Sequence, residues 1–138
     1  MSEYRTSVDK NGIELTPAWR TIRTWECDMT SPFLLLYRCK ATNNMRYNVV
    51  ISFRIMVNNK VFMQTGYNVS WDAHYGSFNL FHVGSLNAGD TVLIQAKGNS
   101  TEGMPDYAAV IPYEGSEHES LIAIAIPGYW YTSPKLMA

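Results

Sequence analysis

The sequence predicts an all-β domain, built as an antiparallel sandwich or barrel. Three observations carry this reading. Strand-length runs of β-forming residues recur about every ten positions, many of them alternating between two faces. Clusters of Asn, Gly, Asp, Ser and Pro, the residues that bend a backbone cheaply, fall between them. A 3.6-residue apolar period is almost absent, so amphipathic helices have little to form from.

Residues 1–20 are polar and mixed, with Asn11-Gly12 as a turn signal, and read as an N-terminal arm. Thr16-Pro17 suits the start of a short helix carrying Trp19 and Ile22 on one face. From residue 21 the text turns β-like. Residues 21–28 place Trp25 and Cys27 on one face, and Thr30-Ser31-Pro32 breaks the run. Residues 33–41 follow as a strongly apolar strand, with Phe33, Leu35, Tyr37 and Cys39 alternating against Leu34, Leu36, Arg38 and Lys40. A hairpin between these runs would set Cys27 near Leu34 and Cys39 near Ile22. The two cysteines are therefore expected as free, buried thiols.

Residues 47–57 give the clearest strand, with Tyr47, Val49, Ile51, Phe53, Ile55 and Val57 on one wholly apolar face. Asn58-Asn59 then suits a type I′ hairpin, because Asn tolerates positive φ, and residues 60–65 return antiparallel. Residues 66–71 read as another short strand and 72–76 as a loop. Next come two runs, 77–86 and 91–97, joined by Asn87-Ala88-Gly89-Asp90. In that join Gly89 supplies positive φ, and the Asp90 carboxylate accepts from nearby backbone N–H groups. Asn87, Gly89 and Asp90 are thus expected to shape a turn and to do no chemistry.

Residues 98–106 are the longest turn-rich segment and are expected to be exposed; 107–112 form a short strand and 113–119 a polar loop. In residues 120–126, Ile122, Ile124 and Ile126 lie on one face, and Leu121, Ala123 and Ala125 on the other. Pro127-Gly128 ends this strand and an aromatic run, Tyr129-Trp130-Tyr131, follows. The domain map is an arm at 1–20, a folded domain at 21–131 and a tail at 132–138.

With 138 residues the chain is one domain able to bury a core. Only 17% of residues are charged while 13% are aromatic, a balance that points to an oligomer with much of its exterior in interfaces. Eleven basic against twelve acidic residues leave no electrostatic footprint for nucleic acid. The polar start lacks the apolar stretch of a signal peptide, and the longest apolar run, 121–127, is too short to span a membrane.

Catalytic and metal-binding patterns are weak. His82 lies inside a strand and reads as a core or interface histidine. Asp72 and His74, like Glu117-His118-Glu119, read as solvated loop residues. Metal-ligand spacings, a nucleophile elbow and a phosphate-cradling loop are all missing, so neither an enzyme nor a cofactor is expected. The triplets at Asn68 and Asn99 match the glycosylation acceptor pattern but carry little weight without a signal peptide. Trp71, Tyr75, Tyr129, Trp130 and Tyr131 remain as candidate binding or interface residues, since aromatics stack on sugar rings or anchor in partner pockets.

Several local texts carry a resemblance. Pro32-Phe33-Leu34-Leu35-Leu36-Tyr37 resembles the Pro-Gly-x-Tyr-x-Phe strand entry of the complement globular heads, which share the tumour necrosis factor jelly roll. Val57-Asn58-Asn59-Lys60 is similar to that family's Val-Asn-Gly hairpin, and Leu86-Asn87-Ala88-Gly89-Asp90-Thr91-Val92 to its Leu-x-x-Gly-Asp-x-Val. The order holds over residues 32–127, with Phe33 where the family has Gly and Ile122-Ala123-Ile124 where it has Phe-x-Gly.

The resemblance implies an antiparallel jelly-roll sandwich packed as a threefold homotrimer about an apolar axis, binding through outer loops and catalysing nothing. Small trimers of this type decorate the virion surface of tailed bacteriophages as capsid cement or head-fibre proteins. That is the functional expectation, with the arm gripping a capsid or tail protein. The alternatives are a receptor- or carbohydrate-binding module of a tail tip, using Trp71, Tyr75 and Trp130 against a cell-surface glycan, and a host complement-head-like recognition domain.

Overall fold

The computed structural model describes residues 12–43, 48–70, 75–100, 109–112 and 119–126. Its strands are β1 (Gly12–Leu15), β2 (Arg20–Glu26), β3 (Ser31–Thr42), β4 (Val49–Val57), β5 (Lys60–Val69), β6 (Tyr75–Leu86), β7 (Thr91–Ser100), β8 (Ala109–Pro112) and β9 (Glu119–Ala125). They form two antiparallel sheets, and no helix occurs among the described residues.

Sheet I is organised around β3. β6 pairs along its whole length on one edge, while β9 and β8 share the other edge and β1 pairs with β8. Sheet II runs in the order β2-β7-β4-β5. The chain crosses from one sheet to the other after β1, β2, β3, β5, β6 and β7, and the β4–β5 hairpin stays within sheet II.

Alternation explains which residues meet between the sheets. Phe33, Leu35, Tyr37, Cys39 and Ala41 of β3 face Val49, Ile51, Phe53, Ile55 and Val57 of β4 across one core, joined by Phe78, Leu80 and Leu86 from β6 and Val92, Ile94 and Ala96 from β7. Each large side chain here contributes roughly 2 kcal/mol by leaving water. Phe53, Phe78 and Tyr67 form an aromatic cluster, with ring centroids 5.4 Å apart for Phe53–Phe78 and 4.9 Å for Tyr67–Phe78. Trp25 meets Phe33 edge-on at 5.5 Å.

Several expectations are corrected. Residues 21–41 do not make a hairpin: β2 pairs with β7 and β3 with β6 and β9, so the two runs belong to different sheets. Packing β2 against the core was worth more than local pairing, because Ile22, Trp25 and Cys27 bury their side chains against sheet I only from that position. Cys27 and Cys39 are nonetheless free and buried. The arm expected over 1–20 is a strand from Gly12, with Leu15 fully buried.

The short helix at Thr16-Pro17 does not form, since Ile22 enters sheet II as part of β2. Residues 60–65 and 66–71 are joined over Lys60–Val69 into one strand, and β7 continues to Ser100, with Gly98 buried where a solvent loop was read. The remaining boundaries expected for 47–57, 77–86 and 120–126 lie close to those of β4, β6 and β9.

Candidate functional site

Three turns meet at one end of the sandwich, and Asp90 joins them. Gly89 has φ +92°, as the bend between β6 and β7 requires. Asn87 N–H donates to one Asp90 carboxylate oxygen at 2.8 Å and the Asn58 side-chain amide donates to the other at 2.8 Å. Asn58 and Asn59, at φ +48° and +70°, form the β4–β5 turn, and the Asn58 side chain also accepts from Thr91 N–H at 3.0 Å. The β2–β3 connection closes the cluster: Gly89 N–H donates to the Cys27 carbonyl at 2.7 Å, Cys27 N–H to the Asp90 carbonyl at 2.8 Å, and Ala88 N–H to Thr30 Oγ1 at 3.0 Å. The Asn87 N–H, and then the Asn58 amide, hold the Asp90 carboxyl below the usual carboxylate range. The three turn residues singled out from sequence, Asn87, Gly89 and Asp90, sit together at this β6–β7 turn.

The outer face of sheet I is apolar. Leu34 and Leu36 of β3 point outward, Val83 and Phe81 of β6 lie opposite them on one side, and Ile124 and Ile122 of β9 on the other. Those six side chains form two rows of three across the sheet. Exposure is 67% for Phe81, 51% for Val83, 49% for Ile122, 46% for Ile124 and 36% for Leu36. Beside them Arg38, Asn79 and Ser120 continue a shallow depression of about 240 Å³. A contiguous exposed apolar surface of this kind marks an interaction site, unlike singly scattered hydrophobics.

The outer face of sheet II carries Ser52, Arg54, Gln64, Asn68, Gln95, Lys97 and Asn99. Arg54 Nε donates to Gln95 Oε1 at 2.7 Å, and Gln95 Nε2 donates to Thr21 Oγ1 at 3.0 Å, linking β4, β7 and β2. Trp19 lies against Arg54 and Lys97, with its ring centroid 4.3 Å and 4.8 Å from their charged groups. The Thr16 carbonyl accepts from Gly98 N–H at 2.9 Å and pins this segment to the sheet.

Between the sheets lies a buried polar cluster that the sequence reading missed. Arg23 of β2 donates from Nε to Glu119 Oε2 of β9 at 3.0 Å and from Nη2 to Oε1, so one carboxylate ties the two sheets together. An irregularity between Thr21 and Arg23 turns Arg23 inward. Tyr37 and Cys39 lie beside Glu119. Burial, then the neighbouring Cys39 and Glu119, push the Tyr37 phenol well above its ordinary range, and burial pushes the Cys39 thiol up to about 12. A thiol so protonated is a poor nucleophile. The only signal in the sequence was an acidic residue at the head of an apolar strand, and the excess of loop-like residues around it hid that.

Of the aromatic candidates, Trp71, Tyr129, Trp130 and Tyr131 lie outside the described residues. Tyr75 begins β6 opposite Thr42, and its side chain is likewise outside them. Asp72, His74, Glu117 and His118 fall outside as well. His82 of β6 is half-buried, its ring tilted at 56° to that of Phe62 of β5 with centroids 5.1 Å apart. No group of three or more His, Cys, Asp or Glu able to hold a metal ion occurs among the described residues. No known protein-family model matches the chain, and no curated protein is similar to it in sequence.

Proposed function

We propose that the chain is a non-enzymatic structural protein that assembles as a homotrimer through the outer face of sheet I and serves on a virion surface, as capsid decoration or head fibre of a tailed bacteriophage. The observation that carries the assembly is the six-residue apolar face formed by Leu34, Leu36, Phe81, Val83, Ile122 and Ile124. Such a surface on a single chain is costly in water and is relieved by packing against copies of itself. The strand order supports a jelly roll of the tumour necrosis factor type: β2-β7-β4-β5 in one sheet, and β9 with β3 and β6 in the other, linked by repeated sheet-to-sheet crossings. In that arrangement the apolar face lines the threefold axis.

The virion assignment rests on the family resemblance of residues 32–127, and is an analogy of fold. Residues 12–20 are built into the sandwich, so within the arm the grip on a capsid or tail protein falls to residues 1–11. Light scattering on the purified chain tests the assembly: a mass three times 15.7 kDa is expected, and a clean monomer overturns it. Immunogold labelling of virions whose genome carries the coding sequence tests the placement. Gold on heads supports decoration, gold on tails supports the receptor-binding alternative, and unlabelled particles exclude both.

A further inference from the structure

The register of sheet II builds a polar trough on its outer face. Ser52 of β4 stands opposite Gly66 of β5 on one side and Lys97 of β7 on the other. Longer side chains flank this row. Asn68 and Asn99 stand beside Val50 at one level, and Gln64 and Gln95 beside Arg54 at the other. A serine and a glycine thus make the floor between two walls rich in carboxamides. A Cβ placed on Gly66 would come within 3.3 Å of Ser52 Oγ, so a larger residue there would begin to fill the trough. Gln64, Gly66 and Asn68 are exposed, and Ser52 is half-buried.

Two cations border the trough towards β7. The charged groups of Arg54 and Lys97 lie 4.3 Å and 4.8 Å from the centroid of the same Trp19 ring. Holding like charges together costs free energy unless an anion accompanies them. Neither cation has a carboxylate partner among the described residues. The one carboxylate in the strands of sheet II, Glu26, is level with Thr91, roughly 20 Å along β7 from Lys97. Arg54 Nε is held by Gln95 Oε1 at 2.7 Å, which fixes the guanidinium and leaves its two Nη groups to an incoming anion. Paired guanidinium donors match the two oxygens of a carboxylate.

We propose that this trough binds an acidic saccharide, one that carries the carboxylate of a uronic or sialic acid. The carboxylate sits at Arg54 and Lys97, and the ring hydroxyls meet Ser52 and the carboxamides of Gln64, Asn68 and Asn99. Carboxamides and hydroxyls both donate and accept, as sugar hydroxyls do. Two cations are too few for a nucleic acid, whose binding neutralises many phosphates. With Val50 the one apolar side chain in the three rows, an apolar ligand has little to bury against. The site uses none of the aromatic candidates at 71, 75 and 129–131. It lies on the opposite side of the sandwich from the apolar face of sheet I, so it stands apart from the trimer and the virion reading.

Titration of the full chain followed by nuclear magnetic resonance tests it. The probes are trigalacturonate and sialyllactose, with the methyl ester of the first and plain lactose as their uncharged counterparts. At least one acidic probe is expected to bind with a Kd of about 1 mM or tighter, shifting the Trp19 indole signal and the amides of Ser52, Gly66 and Lys97. Its uncharged counterpart should bind about tenfold more weakly or not at all. Arg54→Gln should weaken the acidic probe by about tenfold. Gly66→Thr keeps both cations and suits a strand, and should weaken the saccharide similarly while leaving inorganic sulfate unaffected. Failure of both acidic probes to bind, or equal binding of an uncharged counterpart, overturns the proposal. So does sulfate that binds as tightly as the saccharide, or a Gly66→Thr chain that binds the saccharide undiminished, since either reduces the trough to a simple anion site. Light scattering that shows a monomer would sink the trimer and leave these expectations in place.

Discussion

The two sheets bury similar inner faces and present opposite outer ones. On sheet I the central outward positions of β3, β6 and β9 are Leu34, Leu36, Phe81, Val83, Ile122 and Ile124, with Arg38, Asn79 and Ser120 beside them; on sheet II Ser52, Arg54, Gln64, Asn68, Gln95, Lys97 and Asn99 face outward among the apolar Val50, Met56, Val61 and Leu93. Both sheets obey the same two-residue period, so the inner face alone does not distinguish them. The difference lies in the second face, more polar on sheet II and apolar at the centre of sheet I. Trp19 makes the same point in miniature. Its indole is covered by Arg54 and Lys97 on the polar side, whereas Phe81 stands 67% exposed on the apolar side.

The contrast exists only while the sheets stay closed on each other, so the largest effect is expected from the ion pair that joins them. Glu119→Ala leaves the Arg23 guanidinium without its carboxylate in a largely buried position and should cost about 3 kcal/mol or more in urea unfolding. Replacing both partners by apolar residues, Arg23→Met with Glu119→Leu, should cost less than the single change, because no unpaired charge remains. If the double variant is the weaker of the two, the pair is contributing more than mutual neutralisation.

Charging the outer faces sharpens the comparison directly. Phe81→Asp with Ile122→Asp places two carboxylates in the apolar rows and should reduce the scattering mass to that of one chain, with little change in the far-ultraviolet spectrum. Gln64→Asp with Asn68→Asp, the same charge added to exposed positions on sheet II, should leave the mass unchanged and stability within about 0.5 kcal/mol. Dissociation by the sheet II pair would move the self-association surface to the other face.

Much of the fold was legible in the sequence, because period and turn chemistry act locally. The strand at Val49–Val57, the Asn58-Asn59 hairpin and the Gly89 turn follow from residues adjacent in the chain. Pairing across distance was less so. Residues 21–28 and 33–41 look like a hairpin because each is amphipathic and a Pro-containing break lies between them, yet each gains more by burying Trp25 and Phe33 against one another from opposite sheets. The apolar outer face left a trace, since Phe33-Leu34-Leu35-Leu36 is apolar on both sides of the strand. Its two-dimensional extent appeared only when register set Leu36 between Phe81 and Ile122. The pairing of Arg23 with Glu119, far apart in the chain, left no trace beyond an acidic residue at the head of an apolar strand.

The smallest expected effect lies at the corner where the two sheets are stitched together. Asp90 follows β6 of sheet I and precedes β7 of sheet II, and its carboxyl is held below the usual range first by the Asn87 N–H and then by the Asn58 amide. A carboxylate whose folded value is depressed stabilises the fold above its unfolded value, about 3.9 for Asp, and that contribution is lost as pH falls through the folded value. The urea midpoint of the unmodified chain should therefore drop more steeply below about pH 4 than that of Asp90→Asn, which has no charge to lose. The carboxylate is fully exposed, so screening keeps the difference small and added salt should narrow it. Parallel pH profiles would mean that the corner is held by Gly89 and the backbone bonds to Cys27 alone, with the Asp90 charge incidental to the joining of the two faces.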